Sequence, residues 1–533
     1  MTPMLASLGG VLPTAAPTPS AGFEPGPSLL PLFVAVPLIA SGLLVILRHP
    51  VVARVVMIGV PVLSAIGGVA LLDVHTRIPV VAEQVGGYVP GVAIPIVSDS
   101  LSALMITVTS STTAVCAAFL TTTGVDRRRL LAPLVLLLLT GVNGALLTGD
   151  LFNLFVWVEV MLLPSYALLA GAGSWRRLGV GRTFVLVNLV TSTILLIGVG
   201  FVYATVGTVN LAALAGSGAA DPRAGLAIAI VLLALSVKAG LAPLHGWLPQ
   251  TYPETSAGVM ALFSALHTKV GLYALYRVYG TTFGVHEAPW LPIAAALVVL
   301  TILLGAFATF GESHVRSVLA WQMVSGVGQI LVGLVLFTAV SLAAGLFYLV
   351  HHIITMAALL LLAGAIEHTY GTGRLDRLHG LARRDPLVAT AFALGLFSLV
   401  GLPPTSGLWG KVGLLGAASS AASTVSRPWT AWAFLVAIVL ASVISLLALQ
   451  RLWNDVFWGR PLERYRPPDP ETGRGDLVPV GDVSIRTAVA MPGVTLIGVS
   501  VAMFLFAEPI LQVTARAAVA LTHVAPYVQA VLR

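Results

Sequence analysis

Fourteen stretches of this chain stay apolar for about 20 residues, the length that carries an α-helix across a hydrocarbon core, and short polar segments separate them. They lie at roughly 29–47, 51–73, 98–123, 130–148, 151–171, 177–207, 223–248, 255–279, 289–310, 315–337, 341–366, 387–419, 428–456 and 486–515. The pattern predicts an all-α polytopic membrane protein with about 14 transmembrane helices.

Charge between the runs tests that count. With both termini outside, the inner loops hold Arg48, Arg127, Arg128, Arg129, Arg176, Arg177, Arg316, Arg374, Arg377, Arg383, Arg384, Arg460, Arg464, Arg466 and Arg474. The outer loops then hold only Arg77, Arg223, Arg277 and Arg427. This is a positive-inside bias in consistent alternation, which a wrong helix number would scramble. Residues 1–28 are rich in Ala, Pro and Gly and lack the basic start of a signal peptide; they read as an outer tail. Residues 457–485, rich in Pro, Gly and charge, read as a mobile cytoplasmic loop.

Two runs are expected to break. Run 7 contains Pro243 shortly after Lys238 and continues through His245. Run 12 spans about 33 residues, about 50 Å as one straight helix against a core of about 30 Å, so it must tilt or break at Pro403-Pro404. Broken helices in corresponding positions point to an inverted repeat with a midplane site. Counting five helices back from each break places the repeats at helices 4–8 (130–279) and 9–13 (289–456), preceded by helices 1–3 (29–123) and followed by helix 14 and the C-terminus (486–533). Five is odd, so the units have opposite orientation and each supplies one half-channel.

Composition agrees with the membrane reading: 57% of residues are hydrophobic, 9% are charged, and mean hydropathy is +0.97. In a soluble chain a net charge of +7 would suggest nucleic acid; here the arginines set topology, and no nucleic-acid partner is expected. The single cysteine, Cys116, allows neither an internal disulfide nor a cysteine-ligated cluster, so no cofactor or metal is expected.

Only three lysines occur, Lys238, Lys269 and Lys411, and each lies inside an apolar run, whereas nearly all of the 25 arginines lie between runs or within a few residues of their ends. A lysine at the bilayer centre costs about 2.5–3.5 kcal/mol and marks an ion or proton path; unlike arginine, it can release its proton. The other candidate relay groups are Glu159, His351 and His352, with His267 beside Lys269. Pro243, His245, Pro403 and Pro404 are the candidate gates or helix breaks. Bland readings stand beside these: a static Glu159–Lys238 pair, or neutral histidines that only link helices. Neighbouring side chains on a helix point about 100° apart, so one of His351 and His352 is expected to face the path. Asp99 and Asp150 read as caps or solvated interfacial groups.

The stretches LFVWVEVMLLPSYALL, SVKAGLAPLHGWLPQTYPETSAGVMALFSALHTKVGLYALYR and GLPPTSGLWGKVGLL resemble, in order, the signatures of the antiporter-like membrane subunits. That family unites the large membrane subunits of respiratory complex I with those of the multisubunit Mrp cation/proton antiporters. YPETSAG, the histidine pair in FYLVHHIITMAALLLLAG, and lysine rather than glutamate in helix 12 are most similar to the D-type Mrp subunits. The chain also ends soon after helix 14, without the lateral helix of the largest complex I subunit. The resemblance implies a proton-translocating subunit of a monovalent cation (Na+)/proton antiporter in the cell membrane, working with other membrane subunits in a hetero-oligomer. The alternative is a redox-driven pump subunit of complex I or of a membrane-bound hydrogenase. It implies a coupled Glu159–Lys238 pair, Lys269 as central station, Lys411 as terminal residue, and His351 or His352 as the bridge. Many relatives carry a further helix 11 lysine where this chain has Met356, so the bridge rests on histidine and water.

Overall fold

A computed structural model describes residues 29–47, 49–89, 93–170, 175–423, 427–460, 462–465 and 476–533. The outer tail 1–28, Arg48, Arg466 and Arg474 lie outside these residues. Eleven of its helices are long and apolar enough to cross a membrane, and three shorter apolar helices join them. Together they match the fourteen runs. In chain order they are α1 Leu32–Ile46, α2 Pro50–Val74, α3 Ser100–Thr122, α4 Leu131–Leu147, α5 Leu151–Ala170, α6 Trp175–Val206 and α7 Pro222–Ala239. There follow the short α8 Trp247–Thr251, then α9 Ala257–Thr282, α10 Leu291–Ala308, α11 Val315–Leu336 and α12 Ala339–Tyr370. The last are α13 Pro386–Val400, α14 Ser406–Ala421, α15 Pro428–Val456 and α16 Thr487–Leu505.

The centre of the bundle is α9 and α12, whose apolar windows are 100% buried, with α11 beside them at 94%. At the periphery α2 is 28% and α10 33% buried, leaving leucine, isoleucine and valine side chains for lipid. Both expected breaks are present. α7 ends at Gly240 (φ 90°) and α13 at Gly401 (φ 93°). Each glycine adopts the left-handed conformation that closes a helix and strains any other residue. The motifs Gly240-Leu241-Ala242-Pro243 and Gly401-Leu402-Pro403-Pro404 share one register, with proline three residues past the glycine, and Pro243, Pro403 and Pro404 are exposed at the bundle surface.

Run 14 departs from expectation. It stops at Leu505, turns at Phe506, and continues as α17 Ala507–Thr522 and α18 Ala525–Leu532. α17 buries Thr514, Ala517, Ala518 and Leu521 against the bundle, so the turn folds the C-terminus back. The loop 457–485 is tied at its edges, because Asp385 accepts from the Ile485 N–H at 2.7 Å and Arg384 donates to the carbonyls of Val483 and Gly481.

Arg277 was expected in an outer loop; instead it lies in the last turns of α9, 5% exposed. Its Nη2 donates to Asp99 Oδ1 at 2.7 Å. Asp99 ends β2 (Pro95–Asp99), which pairs antiparallel with β1 (Val80–Gln84), and it caps α3 by accepting from the Leu101 and Ser102 N–H groups. The cap reading holds, but the solvated one fails: Asp99 is 1% exposed. Burial alone would raise its pKa; the Arg277 charge outweighs this and holds the carboxyl below its usual range. The Tyr527 and Tyr273 rings lie 5.2 and 5.6 Å from the guanidinium carbon, and Gln84 Nε2 donates to the Val531 carbonyl, so the hairpin, α3, α9 and α18 close on one pair.

Arg277→Ala strands a buried carboxylate, and we expect it to cost about 3–5 kcal/mol in denaturant unfolding of the purified protein. The double variant with Asp99→Asn, which leaves no unpaired charge, should recover at least half of that loss. A single variant within about 1 kcal/mol of the parent would show the pair to be dispensable.

Candidate functional site

At the first break, α7 runs out just after Lys238, which is 6% exposed and lies in the last helical turn, where free carbonyls and the helix dipole favour a cation. Its Nζ donates to Ser192 Oγ on α6 at 2.9 Å, and Ser192 donates in turn to Glu159 Oε1 on α5. A hydroxyl therefore stands between the two charged groups. The carbonyl of Val237, which accepts from the Gly240 N–H as the helix closes, also accepts from Trp247 Nε1 across the break at 3.1 Å, and the Ala242 N–H donates to Thr301 Oγ1. His245 packs its ring 5.5 Å from Trp321, and its Nδ1 has no protein partner.

The second break places its lysine at the same kind of helix end by a different route. Lys411 belongs to α14, beyond the break, but its Nζ reaches back to the carbonyl of Val400, the last residue of α13, at 2.9 Å. It also donates to Ser442 Oγ of α15 at 2.8 Å. Gly401 makes room: a Cβ there would meet Lys411 Cδ at 2.7 Å.

Between the breaks, α9 and α12 carry the remaining candidates. Lys269 is fully buried in the unbroken α9 and donates to Thr268 Oγ1 at 3.1 Å. His267 bonds Ser165 at 2.7 Å and Tyr252 at 3.2 Å, and interacts electrostatically with Lys238. His351 and His352 are both fully buried. Electrostatic interaction couples His352 with Lys269 and with His351, and His351 with Lys411. Neither ring nitrogen of His352 has a protein partner, and its ring lies against Gly326 of α11. Met356 is buried in the core.

The fold thus gathers Glu159 with Lys238, and Lys269 with His352, His351 and Lys411. His267 and Lys269, two residues apart on α9, face different ways, and these side chains do not themselves close the step between the two groups. Sequence reasoning missed Ser192, Ser442, Thr268 and the Val400 carbonyl. A polar residue inside an apolar run was the available signal. It did not discriminate, because serine and threonine in these helices commonly bond their own i−4 carbonyl, as Ser165 and Ser236 do.

Residues 148–445, which contain every candidate above, match the family described as NADH:quinone oxidoreductase/Mrp antiporter, TM. The D-type Na(+)/H(+) antiporter subunit of Alkalihalophilus pseudofirmus is 29% identical over 516 residues, 95% of this chain and 99% of that one. The solved Mrp complex from Dietzia sp. DQ12-45-1b contains a chain that is 41% identical, with TM-score 0.89 over 95% of this chain and 99% of that one. A chain of the membrane-bound sulfane sulfur reductase, an archaeal respiratory membrane complex, is 23% identical with TM-score 0.82 over 95% and 100%, and shares the fold.

A Cβ at position 326 would enter the His352 ring. Gly326→Ala should therefore cost about 1–3 kcal/mol in denaturant unfolding, the usual penalty of overpacking. Truncating the ring in the same chain, by His352→Ala, should relieve much of it. Additivity of the two changes to within about 0.5 kcal/mol would refute the contact.

Proposed function

The chain belongs to the NADH:quinone oxidoreductase/Mrp antiporter family, and we propose that it is the D-type subunit of a multisubunit antiporter that exchanges protons for Na+ or another monovalent cation. In this reading it works beside other membrane subunits in the cell membrane, with both termini outside. The Mrp relative's 41% identity, against 23% for the respiratory relative, favours the antiporter over a redox-driven pump.

One observation carries the relay reading. Each lysine ammonium donates to neutral oxygens, of Ser192, of Thr268, and of Val400 with Ser442. Neutral acceptors support the charge without fixing it, so a proton can leave. Glu159 and Lys238 form the coupled pair of the first half, Lys269 the central station, His352 and His351 the bridge, and Lys411 the terminal residue. The shared register of the two breaks supports a five-helix inverted repeat with opposed half-channels, over 130–279 and 289–456.

Arginine at 411 keeps the charge but holds its proton at every relevant pH. Lys411→Arg should assemble normally, checked on a native gel, yet lose exchange as completely as Lys411→Ala, read by pH-gradient quenching in vesicles. Robust exchange by the arginine variant would remove Lys411 from the path.

Glu159 attracts the Lys238 ammonium, by about 4 kcal/mol for charges about 4 Å apart at an effective dielectric near 20, and by less across the Ser192 bridge. In the same vesicles Glu159→Ala should lower exchange at least about tenfold, while Glu159→Asp retains part of it. Normal rates in the alanine variant would reduce the pair to packing.

A further inference from the structure

Around His351 the second break holds four hydroxyls that the relay does not use. Thr355 Oγ1 and Ser406 Oγ lie 3.2 and 2.9 Å from His351 Nδ1. Thr355 lies 3.2 Å from Ser398, Ser398 3.1 Å from Ser500, and Ser500 2.8 Å from Ser406. These contacts close a five-membered ring through α12, α13, α14 and α16, and every member is fully buried. A longer contact, 3.4 Å between Ser398 Oγ and Nδ1, crosses it. Unlike Ser165 or Ser442, these hydroxyls turn to one another and the imidazole, where those two bond a carbonyl of their own helix.

Counting hydrogens fixes the imidazole. The ring has five links, and four hydroxyls bring one hydrogen each. Nδ1 stands at two of the links, and because a protonated imidazole nitrogen has no in-plane lone pair it either donates at both or accepts at both. As Nδ1–H, shared between Thr355 and Ser406, it leaves four hydroxyl hydrogens for the three hydroxyl–hydroxyl links, and every link is made; as an acceptor it takes two of those hydrogens and leaves two for three links. The other tautomer leaves one link with two facing lone pairs. His351 Nε2 has no protein partner, so in the Nδ1–H form its lone pair is free. The hydrogen bond at one ring nitrogen decides which nitrogen carries the proton.

We propose that Thr355, Ser398, Ser406 and Ser500 are positioning residues that hold neutral His351 as the Nδ1–H tautomer and leave Nε2 as the nitrogen that accepts the relayed proton. This rests on reading His351 as part of the relay. Ser398 and Ser406 lie on opposite sides of the break, so a shift between α13 and α14 would open the ring and release the tautomer.

The test is solid-state NMR of the lipid-embedded complex with 15N,13C-labelled histidine, the His351 signals being identified by their loss in His351→Asn. The parent should show the proton on Nδ1; a proton on Nε2 overturns the proposal, and this measurement needs no variant of the ring to fold. Ser500→Ala opens the ring at the helix farthest from the lysines. It should move population to the Nε2–H form and slow exchange by about tenfold, the equilibrium value of one hydrogen bond, while Ser500→Thr restores both. An unchanged Nδ1–H signal in Ser500→Ala also overturns the ring. A changed tautomer with normal exchange supports the ring and removes His351 from the relay.

Discussion

A backbone carbonyl at membrane depth has no water to turn to, and this constraint organises the interior. Every helix end leaves carbonyls unpaired, and two helices here end inside the bundle, at Gly240 and Gly401. At the first, the Val237 carbonyl takes the Trp247 indole N–H; at the second, the Val400 carbonyl takes the Lys411 ammonium. At the second break the helix end and the buried cation therefore solve each other's problem. A half-helix needs donors at its C-terminal end, and a lysine in hydrocarbon needs acceptors and a negative dipole.

The rest of the polar interior follows from how few strong partners a bilayer allows. Serine and threonine either satisfy their own helix or reach across to a neighbour. Ser192 reaches across and links Glu159 to Lys238, while Ser442 bonds the carbonyl of Ile438 and still receives Lys411. Lys269, His267, His351 and His352 lie on α9 and α12, the two helices most sheltered from lipid. At one end of the bundle the full charge of Arg277 is met by a full charge, Asp99, and that pair gathers the hairpin and the C-terminus.

Most of the fold was legible because hydrophobic length is a one-dimensional property. The fourteen runs became helices, and two of them broke at their glycine-proline motifs; length alone does not force a break, since α6 and α12 each run 32 residues unbroken. The misreadings arose where a residue's meaning depends on a distant partner. Arg277 looked like a loop charge because its counter-charge is 178 residues away. Phe506 turns the chain although no glycine or proline occupies that position. Ser500 looked like an ordinary small residue in an apolar helix, yet it closes a ring with residues at 351, 355, 398 and 406.

What the sequence determined by itself was the class of the molecule, the number of its apolar helices, the positions of both breaks, and the identities of the costly residues placed within the membrane. Hydrocarbon penalises charge and unpaired backbone wherever they occur, so those features are written locally. Tertiary structure alone decided which oxygens meet each lysine, which lysine each of the adjacent histidines is electrostatically coupled to, and which hydroxyls surround His351. Each of those facts needs helices distant in sequence to pack at a particular rotation and depth, and apolar length, which lipid reads, leaves both free.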